Sequence, residues 1–148
     1  MSKARSKARR NAVQALYQWQ LTGADVSEIE EQFLVEHDME KVDVEYFREL
    51  LREVPLHLHE LDDHIIEYLD RPMDEVDPVE RAILRMSTYE LELRLDVPYK
   101  AVINEGVEMA KTFGAEHGHK YVNGILDRVA HKLRSVEIKA KSKAKKKK

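Results

Sequence analysis

Two stretches hold residue types that could do chemistry at short spacing: H-E-L-D-D-H at residues 59–64 and A-E-H-G-H-K-Y-V-N-G-I-L at residues 115–126. The first resembles a zinc-protease helix with one residue too many. At 100° per residue, His59 and His64 point about 140° apart on a straight helix and cannot share an ion. His57, Glu60 and His64 do cluster on one face, but that face borders an apolar stripe, and solvated side chains describe it better than a metal site. His117 and His119 flank Gly118 without a third ligand, and the chain has no cysteine. Gly114, Gly118 and Gly124 match neither a P-loop nor a dinucleotide fingerprint, and no strand pattern precedes them. Ser87 and Thr88 fall within an apolar helix and make no nucleophile–base pair. These residues therefore imply no metal, no cofactor and no catalytic group.

Nucleic-acid binding is the chemistry that remains. Residues 3–10, K-A-R-S-K-A-R-R, run straight into a helical pattern. Arg5 and Arg9 lie four apart and share a face, with Arg10 beside them; such a ridge suits phosphates through charge and forked hydrogen bonds. Lys120 and Tyr121 sit near the start of the last apolar helix, where the helix dipole favours an anion. Tyr121 precedes the stripe residue Val122 by one position, which turns it toward the rim. There it either stacks an unpaired base, a contact worth about 1–3 kcal/mol, or packs at the core edge with a wet hydroxyl.

The elements that must position these groups are helical. Val13, Leu16, Tyr17 and Leu21 form a stripe on a helix from about Lys7, stopped by Thr22-Gly23. Ser27 with Glu30 reads as a capping box for a short second helix. A long third helix opens at Asp43, kinks at Pro55 (a full break being the second choice) and ends at Asp70-Arg71-Pro72. Asp77-Pro78-Val79-Glu80 opens a helix whose apolar residues cover several faces, marking it as central. Pro98 begins the next helix and Gly114 ends it; the last starts near His117. No segment has strand periodicity. The fold class is all-α, with six or seven helices in two packed subdomains. One domain spans 1–137, with an N-terminal half of about 1–70 and a C-terminal half of 77–137. Residues 138–148 lack the apolar content for packing and read as a disordered, lysine-rich tail.

A net charge of −3 over 148 residues hides a polarised chain. Residues 1–10 carry +5, residues 134–148 carry +7, and everything between carries −15. Basic ends on an acidic body suit a polyanion at the ends and a basic partner on the body. No apolar run reaches the roughly 20 residues of a membrane span, and no signal core follows the basic start. The expectation is a cytoplasmic protein without a membrane partner.

Five segments carry a family likeness: A-R-R-N-A-V-Q-A-L-Y-Q-W-Q, D-V-E-Y-F-R-E-L-L, V-E-R-A-I-L-R-M-S-T-Y-E-L, D-V-P-Y-K-A-V-I-N-E and A-K-T-F-G-A-E-H-G-H-K-Y-V-N-G-I-L-D. Over nearly its whole length the chain resembles the NusB family of bacterial transcription antitermination factors. The resemblance implies two helical subdomains, no catalysis and no cofactor. It implies pairing with NusE, a small-subunit ribosomal protein, and binding to the single-stranded boxA element of nascent ribosomal RNA. RNA polymerase, reached through other Nus factors, then resists termination. Carried onto this chain, the RNA contacts are Arg5, Lys7, Arg9, Arg10, Lys120, Tyr121 and Asn123, and the NusE contacts are Glu80, Arg81 and Leu84. The lysine tail departs from the short end usual in relatives, and either adds sequence-blind affinity or serves solubility alone. Monomer and homodimer both stay open. Two rival readings are an accessory RNA-binding module of an RNA-modifying system and a helix-turn-helix DNA reader.

Overall fold

The computed structural model describes residues 2–146, the side chain of Lys146 excepted. Among the described residues the chain forms eight α-helices and one 3₁₀ turn, with no strand. The helices are α1 (Lys3–Thr22), α2 (Val26–Glu36), α3 (Val44–Leu56), α4 (Leu58–Ile66), α5 (Pro78–Leu93), α6 (Tyr99–Phe113), α7 (Gly118–Leu133) and α8 (Ser135–Lys146), with the turn at Met73–Glu75. None is long and apolar enough to cross a membrane.

α5 is the central element, as its apolar circumference predicts. It packs against α1, α3, α4, α6 and α7, and Ile83, Leu84, Met86 and Leu91 are fully buried. Its start is built by sequence: Asp77 accepts from the backbone N–H groups of Val79 (3.0 Å) and Glu80 (3.1 Å), with Pro78 at the first helical position. α1, α2 and α3 pack together on one side, and α6 and α7 form a hairpin on the other.

α1 starts four residues earlier than the apolar pattern shows, because Ser2 caps it by accepting from Arg5 N–H at 3.1 Å. Its buried face is Ala8, Arg9, Ala12, Val13, Ala15 and Leu16. The expected stripe residues Tyr17 and Leu21 are instead 37% and 54% exposed. Small alanines let α1 lie close to its neighbours, a face that a count of large apolar residues misses. Gly23, at φ 66°, closes the helix in the left-handed conformation glycine tolerates.

Three local expectations change. Asp25, not Ser27, caps α2; Glu30 is occupied by Arg52, which grips it with two hydrogen bonds of 2.7 and 2.8 Å. The long third helix is two helices, α3 and α4, parted at His57 (φ −105°, ψ 19°). Pro55 sits in the last turn of α3, where its missing N–H forgoes the bond to Leu51, and the helix ends one residue later at Leu56. The segment expected to be a disordered tail continues as α8 through Lys146; Lys147 and Lys148 lie outside the described residues.

Candidate nucleic-acid interface

The start of α1 divides its cations into two kinds. Arg9 is 0% exposed. Its Nε lies 3.0 Å from both carboxylate oxygens of Glu90, and its Nη2 donates to Oε2 at 2.8 Å. The Tyr46 hydroxyl donates to the same Glu90 carboxylate. Burial works against the Arg9 charge, but the Glu90 hydrogen bonds and attraction outweigh it and raise its pKa. Burial first, then the Glu90 charge, pushes the Tyr46 phenol well above its usual range. Arg9 is therefore a structural cation that ties α1 to α5, and its assignment as an RNA contact is corrected: its guanidinium is enclosed and turned inward. The i, i+4 spacing that placed Arg5 and Arg9 on one face is correct, but that face is the inner one.

Arg5 sits at the rim of the same network. Its guanidinium lies 4.3 Å from the Tyr46 ring centroid and makes loose ion pairs with Asp43 (3.8 Å) and Asp96 (3.6 Å). Lys3 is exposed, and Lys7 and Arg10 are half-buried. No carboxylate pairs with Lys3, Lys7 or Arg10 among the described residues. Arg10 lines a groove between α1 and α6 with Ser6, Ala101, Asn104, Glu105 and Thr112.

The start of α7 is organised differently. His117 takes a left-handed conformation (φ 66°), one of the few non-glycine residues that visit it with some ease. Gly118 is buried against Glu80: a Cβ there would stand 2.6 Å from a Glu80 carboxylate oxygen. Glu80 also accepts a backbone hydrogen bond from Ala115, so its carboxylate holds the loop that launches α7. Burial, then repulsion from Asp77, raises the Glu80 pKa. Tyr121 is half-buried at the rim: its hydroxyl donates to Asp70 at 3.0 Å, and Arg71 covers its ring at 4.7 Å. The hydrogen bonds from Arg71 and then Tyr121 hold Asp70 down to about 2. Lys120 and Asn123 are exposed.

These two regions lie at opposite ends of α5. α1 runs antiparallel to it, since Arg9 meets Glu90 while Gln20 donates to the Pro78 carbonyl at 2.8 Å. The ten residues from Glu80 to Glu90 separate the two ends by about 15 Å along the axis. The basic ridge and Tyr121 are therefore not side by side. The groove at Arg10 is lined on the α6 side by Glu105, Glu108 and Thr112, and a separate hollow, lined by Val13, Tyr17, Phe33, His37, Val79 and Phe113, lies farther along α1, mainly against α2.

The three residues carried over as NusE contacts also separate. Leu84 is 0% and Glu80 6% exposed, and the Glu80 carboxylate also holds the loop before α7. Arg81 reaches the surface beside Trp19, Gln20, Leu58 and Arg85.

Sequence reasoning missed Tyr46 and Glu90, which hold Arg9, and the Asp70–Arg71 clasp on Tyr121. The partners are 44 to 81 positions apart in the chain, so no local spacing announces them. The histidine cluster also changes membership. His57 turns toward the Tyr89 ring, edge-on at 6.2 Å, while Glu60, His64 and Glu92 bring one ligand-type atom each within 4.8 Å of one another. His64 Nε2 stands 2.6 Å from Glu92 Oε2. Burial, then the hydrogen bond and charge of Glu60, lift Glu92 to about 7.

Comparison with known proteins gives this arrangement its context. The chain is 55% identical over 142 residues to the transcription antitermination protein NusB of Nitrosococcus oceani, covering 96% of this chain and 95% of that protein. It is 57% identical over 130 residues to NusB of Shewanella halifaxensis, covering 88% and 96%. A NusB structure from T. maritima superposes with a TM-score of 0.77 at 34% identity, covering 88% of this chain and 92% of the other. A crystal structure of antitermination factors NusB and NusE in complex with dsRNA matches with a TM-score of 0.72 at 28% identity, covering 88% and 98%. With residues 6–131 matching the NusB family as well, the chain belongs to that family.

Proposed function

We propose that this protein is an RNA-binding transcription antitermination factor that pairs with NusE and binds the boxA segment of nascent ribosomal RNA as a single strand. RNA polymerase, engaged through other Nus factors, then resists termination. The observation that carries this reading is the row of Lys3, Lys7 and Arg10 along the start of α1, cations without carboxylate partners among the described residues, on a chain of net charge −3. Such cations gain by displacing counterions from a phosphate backbone. Arg5 contributes from the rim. The strand follows the α1–α6 groove, and its far end meets Lys120, Tyr121 and Asn123, where the Tyr121 ring offers one face to a base while Arg71 holds the other. The acidic body suits a basic ribosomal protein, with Arg81 the surface group among the three inherited contact positions. Affinity rises when NusE supplies a second RNA surface, through linked binding rather than a chemical step.

The test is fluorescence anisotropy of labelled boxA RNA, single-stranded and as a duplex, with and without NusE over a salt series. The wild-type protein should prefer the single strand and bind more tightly with NusE. Lys7→Ala with Arg10→Ala should lower the slope of log affinity against log salt by about 1.4, at roughly 0.7 per phosphate contact on a single strand. Duplex RNA or duplex DNA competing as well as single-stranded boxA, or an unchanged salt slope in the double variant, would overturn the reading.

A further inference from the structure

The two basic ends of the chain, 128 positions apart from Lys7 to Ser135, converge on one structural element. Residues 94–98 join α5 to α6, and residues 99–101 form the first turn of α6. On one side, Asp96, Val97, Pro98 and Ala101 line a cleft with Ser2, Arg5 and Arg9 of α1. On the other side, α8 is fastened to the same segment. Glu137 accepts from the Tyr99 backbone N–H at 3.2 Å, and Lys141 Nζ lies 5.1 Å from the Tyr99 ring centroid. Arg134, just before α8, is buried and donates to the backbone carbonyls of Leu91 (2.6 Å), Glu90 (3.1 Å) and Arg94 (3.0 Å), and to Glu137 at 2.6 Å. This anchor fixes where α8 begins.

Beyond Glu137 the helix holds no acidic residue and carries Lys139, Lys141, Lys143, Lys145 and Lys146. At 100° per residue, Lys139 and Lys143 form one ridge and Lys141 and Lys145 the opposite one. Ile138 packs against the core, while Val136, on the Lys139 side, is 82% exposed. Lys139, Lys143 and Lys145 are exposed and have no carboxylate partner among the described residues. Like charges four apart destabilise an isolated helix, so this array repels itself unless a polyanion neutralises it.

We infer that α8 is a second phosphate-binding arm, which takes up the backbone of the same single-stranded RNA where it passes the α1 start and adds affinity without reading sequence. The inference rests on the RNA-binding reading above. A lysine ridge engages phosphates as point charges and makes no demand on the base. The RNA thus meets cations on both sides of the α6 start, with base-dependent contact kept at the α7 start.

The experiment compares wild-type protein with Lys139→Gln/Lys143→Gln/Lys145→Gln, which keeps good helix formers and leaves Lys141, Glu137 and Arg134 in place. Both are titrated with boxA RNA and with a scrambled single strand of equal length over a salt series. The variant should bind both RNAs about tenfold more weakly at low salt, with a salt slope lower by about 2 at roughly 0.7 per contact, and should melt like wild type. Unchanged affinity and slope with wild-type boxA preference intact overturns the α8 arm and spares the RNA-binding reading. Failure of the wild-type protein to bind either strand overturns both. Loss of binding to phosphatidylserine vesicles with RNA binding unaltered assigns the lysines to a membrane surface and overturns the arm.

Discussion

The two ends of α5 solve one problem in opposite ways. Each uses a buried carboxylate to hold a segment of the candidate interface. At the C-terminal end Glu90 meets a full positive charge, Arg9, and a phenol, Tyr46. At the N-terminal end Glu80 meets mainly the Ala115 backbone and the bare edge of Gly118. The first is a charge-neutral lock whose strength comes from a satisfied buried ion pair. The second is a close-packed joint whose carboxylate is buried and faces Asp77, so its pKa is raised. An arginine-rich run on a helix is thus not one functional unit: burial assigns Arg9 to the lock and leaves its neighbour Arg10 to the surface.

The largest effect should come from breaking the lock. Arg9→Ala strands Glu90 in the core and should cost about 3–5 kcal/mol of unfolding free energy, the usual loss when one partner of a buried pair is removed. Urea denaturation would measure it. Arg9→Met combined with Glu90→Leu should cost less than either change alone, because no unpaired charge stays behind. Arg10→Ala, one position along, should leave the urea midpoint nearly unmoved and weaken RNA binding. A small stability loss for Arg9→Ala together with lost RNA affinity would erase the distinction between the two residues.

The joint at Gly118 should come next. Its missing Cβ leaves room for the Glu80 carboxylate, whose atoms would otherwise stand 2.6 to 3.1 Å away. Gly118→Ala should cost about 1–3 kcal/mol, the range for overpacking a filled site. Because Glu80 is the obstacle, the same substitution in a Glu80→Ala background should cost clearly less; equal costs in both backgrounds would place the strain elsewhere.

The legibility of these features in the sequence follows their range. The all-α class, the Asp77-Pro78 start of α5 and the stop at Gly23 rest on contacts within a few residues, and the central place of α5 shows locally as apolar residues on several of its faces. The α1 face eluded the pattern because it is built from Ala8, Ala12 and Ala15, and the end of α3 because Pro55 could equally kink or break a helix. Residues of the basic run and of the α7 start could be named, but not sorted. Nothing near Arg9 in the chain distinguishes it from Arg10; the distinction lies with Glu90 on another helix. The charge excess after Glu137 was visible, while the anchor that makes a helix of it depends on Arg134 reaching three carbonyls of the α5 end.

Acidity should separate the ends further. A carboxyl whose folded pKa is raised holds its proton in the folded state at a pH where the unfolded chain has lost it, so stability falls as pH rises through that window. Glu80 has such a shift, and so does Glu92 on the last turn of α5, where the window runs from about 4.5 to about 7. Unfolding free energy measured by urea from pH 4.5 to 7.5 should decline across that range in wild type. The decline should be shallower in Glu92→Gln and shallower again with Glu80→Gln added. A profile that both substitutions leave unchanged would mean that these carboxyls ionise alike in the folded and unfolded states.

The smallest effect should come from the rim. Tyr121→Phe removes the hydroxyl that donates to Asp70 but keeps the ring under Arg71. Asp70 is solvent-exposed and keeps its stronger hydrogen bonds from Arg71, so the urea midpoint should move by no more than measurement error. Asp70 ionisation offers a finer readout. Its lowered pKa contributes stability above the ordinary aspartate range that is lost as pH falls toward about 2, and without the Tyr121 bond the Asp70 carboxyl resonance should titrate at a higher pH. RNA binding distinguishes the ring from the hydroxyl. If a base stacks on the face that Arg71 leaves open, Tyr121→Phe should bind boxA like wild type. Tyr121→Ala should then lose about 1–3 kcal/mol of binding free energy, the range for one stacked base. Equal losses for both variants would show that the Asp70 clasp, rather than the aromatic face, is what the α7 start contributes to RNA binding.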